Sequence, residues 1–134
     1  MTHAVSGIDH IAVTVNDLTQ SIAFYRDKLG ARVVNEYKIG DKVAVVQVLL
    51  GGAMMNVHCT DHGHPLVAKK PTPGAVDLCF RWKGGAESAK AFLEKAGVAV
   101  IEGPVPRDAS DGKQGKSVYF RDPDGNLLEF LSTD

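Results

Sequence analysis

Apolar and β-branched residues crowd the segment Ile8 to Val15, which predicts a strand in a mostly buried setting. The period then changes. Leu18, Ile22, Tyr25 and Leu29 recur at helical spacing, behind Asp17 as an N-cap with Gln20 three residues on. Gly30 suits the position just past the helix, where a left-handed backbone is wanted. Strands are predicted next at Val33 to Tyr37, Lys42 to Leu50 and Ala53 to Cys59, with turns at Gly40-Asp41 and Gly51-Gly52. The second half repeats this order. A strand at Ala75 to Trp82 leads to a helix near Glu87 to Ala96 and a strand at Val98 to Glu102. Strands at Ser117 to Arg121 and Leu127 to Leu131 close the chain around the turn Asp122-Pro123-Asp124-Gly125-Asn126. Strand, helix and three strands, twice over, predict an α+β fold of paired βαβββ modules forming a cup-shaped mixed sheet.

The duplication also shows residue by residue. At an offset of 67, Gly7 falls on Gly74, His10 on Asp77, Ser21 on Ser88, Tyr25 on Phe92 and Gly30 on Gly97. A unit of about that length is near the lower limit for a self-sufficient core, so the copies are expected to share one. The reading is a single domain over 1–134, with module 1 at 5–66, a Lys/Pro-rich linker at 67–73 and module 2 at 74–134.

Composition narrows the function classes. The chain has 134 residues, 44% hydrophobic and 23% charged, with a formal net charge of −1. Those values fit a folded domain and exclude wholesale disorder. With no basic block, neither nucleic acid nor an anionic membrane is an expected partner. Two cysteines, Cys59 and Cys79, are read as small buried hydrophobes rather than a disulfide framework. The opening residues lack the charged and apolar regions of a secretion signal, which predicts a cytoplasmic protein.

Candidate chemistry comes from strand alternation. In the first strand Ile11, Val13 and Val15 share the face that suits a helix, leaving His10, Ala12 and Thr14 on the other. In the second copy Asp77, Cys79 and Arg81 fall on that helix-free face, so His10 and Asp77 are equivalent positions. Glu129 sits within Leu-Leu-Glu-Phe-Leu, where an uncompensated carboxylate costs several kcal/mol. An arginine such as Arg81, Arg107 or Arg121 would compensate it, and so would a metal. His10, His58, Asp77 and Glu129 together offer two imidazoles and two carboxylates, a mixed set suited to Zn, Ni, Co, Mn or Fe. The competing readings are a hydrogen-bonded His10, a turn-capping Asp77 and a solvent-facing His58. His62 and His64, in the polar loop Asp61 to Pro65, are read as solvated.

The sequence resembles the vicinal oxygen chelate superfamily, whose members include glyoxalase I, extradiol dioxygenases, fosfomycin-resistance transferases and bleomycin-binding proteins. Three segments carry the resemblance: Ile8-Asp9-His10-Ile11-Ala12-Val13, Phe24-Tyr25-Arg26-Asp27-Lys28-Leu29-Gly30, and Tyr119 through Glu129. The segments Gly103-Pro104-Val105-Pro106-Arg107 and Met55-Asn56-Val57-His58 look like a glyoxalase-domain group within it. The resemblance implies paired βαβββ modules around one divalent ion, with His10 and Glu129 as first- and last-strand ligands. Asp77 stands where most relatives have histidine. The fourth ligand falls to His58, although counting from Gly52 against Gly125 sets Asn56 opposite Glu129. The leading expectation is a metal-dependent lyase or isomerase acting on vicinal oxygens, with Glu129 or Asp77 as general base. Tyr119, Arg121 and Arg107 would bind substrate, and the loop Arg107 to Lys116 would act as a lid. The alternatives are an extradiol-type ring-cleaving dioxygenase and a non-catalytic cup that sequesters an antibiotic-like molecule. A homodimer is implied as well.

Overall fold

Strand pairing divides the chain into two sheets. The computed structural model describes residues 4–134, and its element order is βαβββ repeated. The first sheet comprises β1 (Ile11–Val15), β2 (Arg32–Ile39), β3 (Lys42–Leu50) and β4 (Ala53–Cys59), in the spatial order β1-β4-β3-β2. The second comprises β5 (Asp77–Arg81), β6 (Glu102–Asp108), β7 (Gln114–Arg121) and β8 (Leu127–Ser132), ordered β5-β8-β7-β6. In each sheet the first strand runs parallel to the last and the other pairs are antiparallel.

Helix α1 (Leu18–Ala23) begins as the sequence demands, with the Asp17 carboxylate accepting the Gln20 amide at 2.9 Å. It then widens into a π-helical turn, Phe24–Lys28, in which the Leu29 amide reaches back to the Phe24 carbonyl. Gly30 ends it at φ +79°, the left-handed conformation that a side chain disfavours. Helix α2 (Ala86–Lys95) covers the second sheet.

Alternation then sorts the side chains. Val13, Val15, Val46, Val48, Met55 and Val57 pack beneath Ile22, Tyr25 and Leu29. Phe80, Val118, Phe120, Leu128 and Phe130 do the same beneath Ala89 and Leu93, and both sets belong to one continuous core. The opposite face of each sheet carries no helix.

The segment Val98 to Ile101 departs from the predicted strand. The Val98 amide returns to the Leu93 carbonyl at 2.9 Å, and Val98 is buried under the helix end, so the chain rejoins the sheet only where the Ile101 amide donates to the Tyr119 carbonyl at 2.8 Å and β6 begins at Glu102. Strands β6 and β7 then consume half of the predicted lid, leaving Ala109 to Lys113 as a connection closed by the Ala109 amide on the Lys113 carbonyl. Pro104 and Pro106 are tolerated in β6 because it is an edge strand.

The turn between β7 and β8 clasps the modules together. Buried Asp122 accepts the Tyr25 hydroxyl at 2.7 Å, the Asn126 side-chain amide at 2.7 Å and the backbone amides of Asp124 and Asn126. Asp124 in turn accepts the Asn16 backbone and side-chain amides at 3.0 and 2.9 Å and the Ser21 hydroxyl at 3.3 Å. Burial, then the neighbouring Asp122 charge and hydrogen bond, push the Tyr25 phenol well above its ordinary range, so it stays a donor. At Gly74, φ is +82° and an added Cβ would meet the Asp124 carbonyl oxygen at 2.7 Å, so only glycine fits there.

Candidate active site

Glu129 stands at the centre of the helix-free face of the second sheet. Its cross-strand neighbours are Cys79 on β5 and Tyr119 on β7. The register therefore sets a thiol and a phenol on either side of one half-buried carboxylate. Beyond Tyr119, the Arg107 Nε donates to the phenol oxygen at 2.7 Å, and the guanidinium lies 5.3 Å from the ring centroid. Because the phenol oxygen accepts from Arg107, its own proton is free to point at Glu129. The row reads guanidinium, phenol, carboxylate, thiol.

A cavity of about 550 Å³ opens over this row, with Arg81, Ser110 and Leu131 among its walls. Arg81 is occupied: its Nη2 donates to the Thr133 hydroxyl at 2.6 Å and lies 3.4 Å from Asp111. Enclosure of the sulfur, then the charge and hydrogen bond of Glu129, push the Cys79 thiol up to about 12, although the residue as a whole is exposed. Burial chiefly, and Glu129 in part, also raise the Tyr119 phenol against the lowering effect of Arg107. Both groups therefore stay protonated near neutral pH, with the Cys79 thiol donating to the Phe80 carbonyl at 3.8 Å.

The equivalent face of the first sheet carries neutral groups. Asn56 occupies the position of Glu129, opposite Ala12 on β1 and Gln47 on β3. The Gln47 amide donates to the Asn56 Oδ1 at 3.0 Å, the Tyr37 hydroxyl reaches Gln47 Oε1 at 3.4 Å, and the Asn35 amide donates to that hydroxyl at 3.1 Å.

The four side chains expected to share an ion are dispersed. His10 lies just before β1, exposed, with Nδ1 donating to Asp9 at 2.7 Å. Asp77 opens β5, exposed and opposite Leu127. His58 lies opposite Thr14, two pairs beyond the Asn56 position, with Nδ1 donating to the Cys59 carbonyl and Nε2 accepting the Thr14 hydroxyl at 3.2 Å. Neither histidine nor Asp77 lines the cavity over Glu129. Among the described residues, no three His, Cys, Asp or Glu side chains are placed to hold one metal ion. Of the residues expected to bind substrate, Tyr119 and Arg107 line the cavity. Arg121 does not, because it turns back to donate to the Gly125 carbonyl at 2.9 Å.

Two readings of the sequence are corrected. Cys79 is no core residue but part of the cavity wall, as its alternation with Asp77 and Arg81 already signalled. His62 is not solvated: it is buried edge-on against His58, with ring centroids 4.6 Å apart, because the loop folds back over the sheet.

The same combination of fold and site row can be set beside known proteins. Virulence protein STM3117 of Salmonella typhimurium is 35% identical across 93% of this chain and 83% of its own length. Its crystal structure superposes with a TM-score of 0.85 at 32% identity, covering 98% of this chain and 100% of that one. An integron cassette protein from the mobile metagenome of Vibrio cholerae gives a TM-score of 0.86 at 31% identity, with both chains covered fully. Ethylmalonyl-CoA/methylmalonyl-CoA epimerase of Cereibacter sphaeroides is 27% identical across 93% of this chain and 96% of that enzyme. No helix among the described residues is long and apolar enough to cross a membrane. With residues 7–130 matching the family model and the βαβββ repeat in place, the chain belongs to the glyoxalase/bleomycin resistance protein/dioxygenase superfamily.

Proposed function

We propose that this protein is a glyoxalase-like lyase or isomerase that moves a proton at a carbon beside an oxygen-bearing carbon of a small substrate. The observation that carries this reading is the Glu129 carboxylate, half-buried on the floor of a cavity and flanked by two protonated donors. Glu129 takes the proton as general base. Tyr119 and Cys79 flank it across the strands, and the nearby Arg107 charge favours the enolate that develops as the C–H bond breaks. Returning the proton to the same or the adjacent carbon completes an isomerisation. The epimerase name of one relative is in keeping with chemistry of this kind.

The divalent ion that the family implies, whether Zn, Ni, Co, Mn or Fe, is not matched by the donors of one chain. The cavity offers Glu129 and a thiol held protonated, and the nearest equivalent on the first sheet is the amide of Asn56. The proton transfer above accordingly runs on the chain's own groups. A homodimer in which a second copy turns His10 and Asn56 toward Glu129 would add donors and close a cup over the substrate.

Solvent-deuterium exchange followed by proton NMR tests the reading, with the hemithioacetal of methylglyoxal and a series of 2-oxo acids as probes. Wild-type protein should exchange the C–H beside the carbonyl, and Glu129→Gln should lose that activity by about 10²–10⁴-fold. Exchange that persists in Glu129→Gln would refute it. Consumption of a catechol with Fe(II) would transfer the site to ring cleavage, and binding without any turnover would leave a sequestering cup.

A further inference from the structure

We infer that the substrate of this site carries a carboxylate and that Arg107 is the residue that grips it. This rests on the reading of Glu129 as the base only in assigning one cavity to both events. Arg107 lies on the cavity wall and is held by uncharged partners. Its Nε is fixed on the Tyr119 hydroxyl at 2.7 Å, its Nη1 on the Pro106 carbonyl at 2.7 Å, and its plane rests against the Tyr119 ring. Three contacts thus immobilise a side chain that would otherwise sample many rotamers. None of these partners is a carboxylate. Among the described residues, Arg26 pairs with Asp27 and Arg81 with Asp111; Arg107, like Arg32 and Arg121, forms no ion pair, but of these three only Arg107 lines the cavity.

An immobilised cation in no ion pair, on the wall of a cavity that Asp108 and Glu129 also line, is preorganised for an anion. Nη2 and the second hydrogen of Nη1 remain uncommitted, and together they present the planar two-pronged edge that a carboxylate matches. Glu129 does not take that edge, because the Tyr119 phenol stands between them in the cross-strand row. The spacing has a chemical consequence. A substrate bound through its carboxylate at Arg107 lays its next carbons along Tyr119 toward Glu129, the group that removes the proton. Leu131 and Ala109 give the same cavity an apolar side suited to a short side chain.

Matched probes decide this. Pyruvate and phenylpyruvate are titrated calorimetrically against wild-type protein, alongside their methyl esters, which keep the shape and lose the charge. The acids should bind and the esters should bind at least about tenfold more weakly. Arg107→Gln should weaken the acids by a similar factor while leaving the esters unchanged, and Arg107→Lys should fall between because it keeps charge without the fork. Thermal melts of both variants establish that they are folded. Esters that bind as well as acids, acids that bind Arg107→Gln undiminished, or no acid binding below about 10 mM would each overturn the inference. The two readings fail separately. Glu129→Gln should keep acid binding and lose exchange, so binding that depends on Arg107 without exchange in the wild type sinks the base and spares the anion site.

Discussion

The two modules share a backbone plan and present opposite chemistry on their open faces. At one register position the first sheet shows Ala12, Asn56 and Gln47, and at the equivalent position the second shows Cys79, Glu129 and Tyr119. The neutral row is an amide ladder that satisfies itself, Gln47 to Asn56 at 3.0 Å. The charged row ends in a guanidinium and a thiol and leaves hydrogen-bonding capacity facing a cavity. A doubled scaffold therefore lets the two open faces diverge: packing on the helix side is repeated, whereas the row of ionisable groups around Glu129 occurs in one copy.

That asymmetry can be broken most sharply by exchanging charge for amide. Glu129→Gln makes the second row resemble the first and should lower proton exchange by about 10²–10⁴-fold. Asn56→Ala, at the matching position of the first sheet, should change the exchange rate by less than about tenfold in the same NMR assay. An equal loss in both would mean that the two faces act together.

The turns opposite the sites differ as well. Module 2 joins its last strands through the Asp122 clasp, and module 1 through Gly51-Gly52. Asp122→Ala strips a partner from Tyr25, from the Asn126 side chain and from two backbone amides, all near a fully buried Asn126. Urea unfolding should show a loss of about 3 kcal/mol. Gly52→Ala has no atom within 4 Å of the new Cβ and no left-handed backbone to strain, so its effect should stay within about 1 kcal/mol.

How much of this was legible in the chain depended on range. The Asp17 cap, the Gly30 terminus and the hairpin turn at Asp122 are fixed by residues within a few positions of each other, and they stand where the pattern places them. Alternation was enough to put Glu129 on the helix-free face, because a strand has only two sides. It also put Cys79 there, but cysteine's apolar character argued for the core, and here the periodicity was the better guide. β6 was hidden because Pro104 and Pro106 oppose a strand unless it lies at a sheet edge, and edge position is set by the whole topology. The placement of His10 and His58 relative to Glu129 was hidden for a further reason. A repeat specifies equivalent positions within each sheet, not the angle at which one sheet faces the other.

Cys79 offers a chemical probe of the charged row. With its thiol pushed up to about 12, chiefly by enclosure and next by Glu129, the thiolate is scarce at pH 8. In a Cys59→Ser background, iodoacetamide should label Cys79 roughly 10²–10³-fold more slowly than a free thiol. Glu129→Gln removes the negative charge and should speed labelling several-fold. Labelling at the free-thiol rate would show that the thiol is not enclosed, and equal rates in wild type and Glu129→Gln would show that the carboxylate does not bear on it.

The smallest expected effect tests the neutral module by pH. His62 is buried against His58, and its Nδ1 accepts the His64 amide at 2.9 Å. Burial first, then repulsion from His58 and His64, hold its pKa below the ordinary histidine value, with Asp61 opposing and Lys42 reinforcing the shift. A lowered pKa in the folded state means that the unfolded chain binds the proton first as pH falls. The stabilisation is therefore complete above the ordinary histidine range of about 6.5 and fades as pH drops through and below it. Melting temperature followed from pH 7.5 to 5 should show this shallow decline, and His62→Gln should flatten it. The second module has no histidine on its open face, so Glu129→Gln should leave the slope in that window unchanged. An undiminished slope in His62→Gln would place the acid-sensitive group elsewhere and remove the one ionisable contribution attributed to the first module.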